Sequence, residues 1–307
     1  MKVALLAGGV GGAKMAEGFD GLADVELSVI GNIADDAAFH GLWVSPDIDT
    51  LTYSLANRID RAQGWGVADE SHRALCVLKE LGAETWMTLG DRDFGLHIYR
   101  TNALAQGQSR SEVAAHVARA FGVKSKILLP TDNVVQTSVR TSGGWLTFQE
   151  YFVREQCKPE VLALDYVGIK DAKPTRSALT AIAEAELIVL APSNPLVSIT
   201  PILEVQGIRA AVQAAEAPVV AISPLIAGKV VKGPADRMMK ALGLRADALG
   251  VAEFYGDLVD HMVIDVLDRG LEEEIMALGK RCSVMPTLMT SRAEKEALAA
   301  GVLGDAA

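Results

Sequence analysis

Residues 3–7, 187–191 and 219–223 read Val-Ala-Leu-Leu-Ala, Leu-Ile-Val-Leu-Ala and Val-Val-Ala-Ile-Ser, with almost no polar position among them. A strand with one face in water alternates apolar and polar residues, whereas a strand covered by helices on both faces does not. Helical periodicity follows at 13–22, 201–215 and 235–242. This alternation predicts an α/β fold with a doubly wound parallel sheet, whose ligands sit at the carboxyl ends of the strands. At 307 residues, 50% of them hydrophobic, the chain can build a full core around it.

The middle of the chain breaks this rhythm. Ser109-Arg-Ser-Glu112 reads as a capping box opening a helix that runs to Phe121. Residues 134–141 alternate like an exposed strand, and Ser142-Gly-Gly144 turns the chain back through 145–149. The stretch 101–167 is therefore expected to form a smaller α+β insert inside a single domain spanning 1–307. Beyond Leu303 the tail is expected to fray.

Twenty-nine basic against 39 acidic residues leave a formal charge of -10, which opposes nucleic-acid binding, so an anionic ligand has to be held locally. Cys76, Cys157 and Cys282 lack Cys-x-x-Cys spacing and suggest neither a disulfide framework nor a zinc site, which fits a reducing cytoplasm. The apolar run at 3–7 is too short for a signal-peptide core, and no later run approaches a membrane span. A soluble cytoplasmic protein without membrane partners is expected.

Four segments carry candidate chemistry. Ala7-Gly-Gly-Val-Gly-Gly-Ala-Lys14 follows a strand and opens a helix, where free N–H groups and the positive helix end favour a phosphate. Its spacing is neither a dinucleotide fingerprint, which needs glycine at Lys14, nor a Walker A, which needs glycine and Ser/Thr at Ala13 and Met15. Gly8, Gly9, Gly11 and Gly12 with Lys14 read as an anion cradle, the alternative being a plain tight turn. The second segment, Gly31-Asn-Ile-Ala-Asp-Asp36 with Val44-Ser-Pro-Asp-Ile-Asp-Thr50, gathers Asp35, Asp36, Asp47 and Asp49 after the second strand. Their hard oxygens suit magnesium, so all four are metal or base candidates, while one of Asp47 and Asp49 is expected to cap a helix beginning near Thr50.

In the third segment, Asp91 and Asp93 bracket Arg92: a guanidinium for phosphate oriented by carboxylates, or a surface ion-pair turn. The fourth, Pro192-Ser-Asn-Pro195, offers a hydroxyl, an amide and helix N-terminal N–H groups at the sheet's carboxyl edge; Ser223-Pro224 repeats it one strand later and adds Lys229 and Lys232. His40 and His97 fall inside these segments, but no histidine pair has metal-ligand spacing, and no Gly-x-Ser-x-Gly elbow or Cys-His nucleophile arrangement is present.

Taken in order, several blocks resemble the 2-phospho-L-lactate transferase (CofD-like) family along nearly the whole chain. They are Gly8-Gly-Val-Gly-Gly-Ala-Lys14, Val44-Ser-Pro-Asp-Ile-Asp-Thr50, Gly64-Trp-Gly66, Leu89-Gly-Asp-Arg-Asp93, the Pro192 and Ser223 segments, and Thr287-Leu-Met289. The resemblance implies a Rossmann-like core, a magnesium requirement and a homodimer. It further implies transfer of a phospho-2-hydroxyacid from a guanosine diphosphate-linked lactate, enolpyruvate or glycerate to the ribityl hydroxyl of the deazaflavin Fo, releasing GMP, in coenzyme F(420) biosynthesis. On this basis the magnesium is expected on Asp49, with Asp36 or Asp47 assisting and one of these carboxylates taking the hydroxyl proton. The glycine loop with Lys14, and the Ser193-Asn194-Pro195 turn, are expected to hold the nucleotide, with Asn32 and Ser223 also binding substrate. Trp86, Asp91 and Arg92 are expected on the deazaflavin side.

Ile33 and Ala34 stand where the family usually has Thr-Gly, and Gly95 and Leu96 where it tends towards Ala-Thr. Beside the expected pocket, these changes would bear on donor or acceptor preference. Two other readings compete: a nucleotide-sugar-binding regulator of the same fold superfamily that binds without turnover, and a nicotinamide dehydrogenase, which the glycine spacing disfavours.

Overall fold

The computed structural model describes residues 1–306. Seven strands, β1 (Lys2–Ala7), β2 (Glu26–Gly31), β3 (Lys126–Leu128), β4 (Leu187–Leu190), β5 (Val219–Ile222), β6 (His261–Ile264) and β7 (Arg281–Val284), form one sheet. Their order is β7-β6-β5-β4-β1-β2-β3, and every pairing is parallel. The chain runs outward from β1 through β2 and β3, then returns to β4 on the other side. That reversal is the switch point at which an open α/β sheet leaves a crevice beyond its carboxyl ends. The expected doubly wound Rossmann-like parallel sheet is therefore present, and it is fully parallel because both faces are covered: Leu5, Leu6, Leu190 and Val220 are wholly buried.

Local chemistry sets where the elements begin. Helix α1 (Gly9–Asp20) starts earlier than the periodicity at 13–22 suggested, because the glycine turn is itself its first turn. Helix α2 (Pro46–Leu55) starts at the proline, whose fixed φ suits the first helical position. Neither Asp47 nor Asp49 caps it; Ser45 is the N-cap residue and both aspartates lie inside the first turn. Helices α3 (Arg73–Glu80), α4 (Asp91–Ala105) and α5 (Arg110–Ala120) follow. The capping box of α5 is formed as expected, with Glu112 N–H on Ser109 Oγ at 3.2 Å and Ser109 N–H on Glu112 Oε2 at 2.8 Å.

The helix expected across 201–215 is interrupted. A π-helical turn, Pro195–Ile199, leads into Thr200–Leu203, and Gly207 at φ +83° resets the chain before Ile208–Ala214. The stretch 101–167 is divided rather than separate: Lys126–Leu128 pairs with β2 as the edge of the main sheet, while Gln136–Thr141, Gly144–Thr147 and Ala163–Val167 make a separate antiparallel sheet. Near the C-terminus, Arg292–Ala306 is helical and buries Leu298, Ala299 and Val302, so the fraying expected after Leu303 does not begin within the described residues. Among those residues no helix is long and apolar enough to cross a membrane.

Candidate functional site

A cavity of about 620 Å³ opens beyond the switch point. The Gly8 turn, the first turn of α2, the Ser193 turn after β4 and Ser223 after β5 contribute to its wall, as do residues 287–289 after β7. Gly9 sits at φ +61°, a conformation other residues rarely adopt. Side chains at its neighbours would have nowhere to go: a Cβ on Gly8 would lie 2.7 Å from Asp47 Oδ2, and one on Gly11 would collide with the Pro192 carbonyl. The first intrahelical bond of α1 runs from Gly12 N–H to Gly8 O, leaving the preceding N–H groups outside the helix ladder. Ser193 takes the Gly8 N–H and Asp47 the Gly9 N–H, so Val10 and Gly11 are the N–H groups of the positive helix end left for an anion.

Ser193 locks this turn, accepting from Gly8 N–H at 3.2 Å and donating to Gly8 O at 2.7 Å. Asn194 caps the π-helical turn through Leu196 N–H. Both line the cavity, whereas Pro195 and Gly12 are packing residues outside its wall. Ser223 also lines it, with its hydroxyl turned onto Leu225. Lys14 reaches Met289 O at 2.7 Å across the cavity wall, and partial burial together with Lys295 pulls its ammonium below the usual lysine range. Lys232 is held by the Gln63 carbonyl and lies 3.5 Å from the ring centroid of Trp65, and both residues belong to the cavity wall.

The four aspartates divide. Asp35 and Asp47 face the cavity; both are buried, and Asp35 Oδ1 has no partner. Burial pushes Asp35 well above the usual range, with the charge of Asp47 adding to the shift, and raises Asp47 to about 6. Two hard carboxylates that resist ionisation together, one with an orphaned oxygen, fit a magnesium completed by ligand phosphates. Among the described residues no cluster of three or more His, Cys, Asp or Glu side chains is present, so phosphate oxygens would have to supply the rest of the shell.

Asp36 is not in the cavity wall. Its Oδ2 accepts from Trp43 Nε1 at 3.1 Å and Ser45 Oγ at 2.8 Å, and desolvation raises it to about 7. Asp49 does line the cavity, but the guanidinium of Arg100 clasps both its oxygens. Its charge is already matched, which leaves it less available to a metal than Asp35 or Asp47. Asn32, fully buried and off the wall, donates to Asp47 Oδ2 and to Val197 O and so positions the aspartate rather than touching a ligand.

The segment around Arg92 also sorts by helical face. Asp91 accepts from Ser71 Oγ and from the N–H groups of Arg73 and Ala74, fastening the start of α3 and lowering its own pKa through those bonds. Arg92 donates outward to Ala68 O at 2.6 Å. Trp86 stacks edge-on with Phe39 and lies under Arg154; its neighbours Met87 and Leu89, not the indole, reach the wall. What α4 presents to the cavity instead is Asp93 and His97, with Arg100 behind them. Tyr53 Oη donates to Asp93 Oδ1 at 2.7 Å, and burial raises Asp93 to about 6. Burial lowers His97 to about 4, so its ring is neutral. Positions 93, 97 and 100 follow the helical period, which is the signal that could have singled them out. Of the unusual residues, Ile33, Ala34 and Leu96 are buried in apolar clusters and Gly95 faces open space, all outside the wall. Phe148 and Phe152, stacked at 5.5 Å, give one part of the wall an apolar aromatic lining that sequence reading did not find.

Comparison with known proteins agrees with this architecture. A crystal structure of a Bacillus halodurans protein matches at a TM-score of 0.66, covering 98% of this chain and 99% of that one, at 17% identity, which speaks for the fold. A phosphoenolpyruvate transferase of Kitasatospora aureofaciens is 43% identical, with 94% and 93% of the two chains covered. A 2-phospho-L-lactate transferase of Methanosarcina acetivorans is 37% identical over 98% of this chain and 97% of its own. The model of the 2-phospho-L-lactate transferase CofD family matches residues 3–294. The chain is a transferase of the 2-phospho-L-lactate transferase CofD family.

Proposed function

We propose that the protein moves a phospho-2-hydroxyacid group from a guanosine diphosphate conjugate to the ribityl hydroxyl of the deazaflavin Fo, releasing GMP, with magnesium held by Asp35 and Asp47. The observation that carries this reading is the meeting of those two buried carboxylates with the glycine turn and the Ser193 turn in one cavity. A bound magnesium would neutralise phosphoryl oxygens there. The protein's own part is to orient the groups and to meet developing charge with fixed donors. Val10 and Gly11 N–H at the start of α1, with Lys14 and Lys232 nearby, would receive the diphosphate. Asp93, with its raised pKa and cavity position, would take the proton of the attacking hydroxyl. The aromatic pair Phe148 and Phe152, with Met87 and Leu89, suits a flat deazaflavin ring.

Phospholactyl, phosphoenolpyruvyl and phosphoglyceryl donors all belong to this proposal, and the enolpyruvyl conjugate comes first because the relative of that name is the more similar of the two compared. A cytoplasmic homodimer acting in coenzyme F(420) biosynthesis completes the reading. Purified protein incubated with Fo, magnesium and each donor should release GMP only when all three are present. Nucleotide binding without Fo-dependent GMP release would replace the enzyme reading with a regulatory, binding one.

A further inference from the structure

Asp49, Arg100 and His97 form a linked set on the cavity wall and directly behind it, each at most 5% exposed. Arg100 Nη1 lies 3.3 Å from His97 Nδ1. A guanidinium has five N–H donors and no acceptor, so the imidazole nitrogen facing it must offer its lone pair. The competing partner for Nδ1 is Asp49 Oδ2 at 3.9 Å, beyond hydrogen-bond reach, and both oxygens of Asp49 are already bound by Arg100. A neutral ring accepting at Nδ1 carries its proton on Nε2. His97 lines the cavity, and its hydrogen bonding within the described residues ends at Nδ1.

We propose that His97 is a hydrogen-bond donor of fixed tautomer, presenting Nε2–H to an oxygen of the transferring phosphoryl group, and that Arg100, clasped by Asp49, is the positioning residue that fixes the tautomer. A ring whose lone pair is engaged by a guanidinium does not accept a hydroxyl proton, so the anionic oxygen, not the nucleophile, is its matching partner. Such a donor is aimed before the reaction starts and needs no reorganisation as charge develops. The identity of the accepting oxygen rests on the phosphoryl-transfer reading; the tautomer does not.

Full-length protein with ¹⁵N-labelled histidine tests this by two-bond ¹⁵N–¹H correlation, with His97→Gln identifying the resonances. The expected spectrum shows Nε2 protonated and Nδ1 bare near neutral pH, with Nε2 responding to GDP plus magnesium. A proton on Nδ1, or on both nitrogens, overturns the inference whatever the activity; a correct tautomer that ignores GDP and magnesium overturns the assigned partner. In transfer assays His97→Asn, whose amide mimics only the Nδ1 side, should lose about a hundredfold in kcat, while His97→Gln, which mimics the Nε2 side, should recover to within about fivefold of wild type. Equal losses in both would count against a specific Nε2 donor. The expected tautomer and GDP response without any transfer would reject the proposed reaction and leave the donor standing.

Discussion

The side-chain amide of Asn32 donates to Asp47 Oδ2 at 2.9 Å, and the same nitrogen reaches Val197 O at 3.2 Å. One buried amide thus ties the end of β2 to the first turn of α2 and to the π-helical turn after β4. Because Asn32 is itself inaccessible, its effect on a ligand passes through Asp47. Asn32→Ala leaves buried acceptors without a donor and should cost about 1–3 kcal/mol of stability. Chemical denaturation reads that loss, and a weaker affinity for magnesium in the presence of GDP should accompany it. Unchanged metal affinity in a destabilised variant would separate Asn32 from the site.

Two glycines should respond in opposite directions. Gly11→Ala drives a methyl group into the Pro192 carbonyl, at the joint between the glycine turn and the Ser193 turn. A loss of about 1–3 kcal/mol and weaker GDP binding are expected. Gly95 sits inside α4 with open space where a Cβ would go, so Gly95→Ala should stabilise the protein by about 0.5–1 kcal/mol. Thermal melts of the two variants check both signs.

The raised carboxylates fix a pH dependence. Asp36 and Asp47, near 7 and 6 when folded against 3.8 ordinarily, and Asp35, shifted the same way, hold protons more tightly in the native state. Their contribution to stability is therefore complete below about pH 4 and is lost as pH rises through 6 and 7. A magnesium ion on Asp35 and Asp47 favours their ionised forms, so magnesium with GDP should raise Tm more at pH 8 than at pH 5. An equal or larger shift at pH 5 would argue against these two as ligands.

Asp49 and Arg100 give a prediction of a different kind. Asp49→Asn removes one partner of a buried ion pair and leaves the guanidinium uncompensated, at a cost of about 3–5 kcal/mol. Turnover should fall together with stability and with the His97 tautomer, instead of falling in an otherwise intact fold. Urea denaturation of this variant beside Asp35→Asn distinguishes the two roles.

The sheet was legible because strands buried on both faces have a simple pattern, as in 187–190 and 219–222. Strand β7, Arg-Cys-Ser-Val, lies at the sheet edge with partly exposed residues and carries no such pattern. The glycine turn and the Ser193 turn could be read because their chemistry is local. Asp35 and Asp36 could not be told apart in sequence, since both lie in the turn that follows β2 and only tertiary packing brings Trp43 and Ser45 to one of them. Arg100 lies 51 residues from Asp49, so nothing local announced their pairing. Asp91 and Arg92 are singled out by the bracketing of Arg92 between two aspartates, a pattern that does not say which face of a helix each residue takes; at the start of α4 it is Asp93 and His97 that line the cavity, and Asp91 and Arg92 do not.

Calorimetric titration of magnesium into the GDP-saturated protein tests the central claim most directly, with Asp35→Asn, Asp47→Asn and Asp36→Asn run beside wild type. Wild type should bind the ion, the first two variants should lose at least about tenfold in affinity, and Asp36→Asn should stay within about threefold. Retained magnesium affinity in both Asp35→Asn and Asp47→Asn, with loss in Asp36→Asn, would contradict the account.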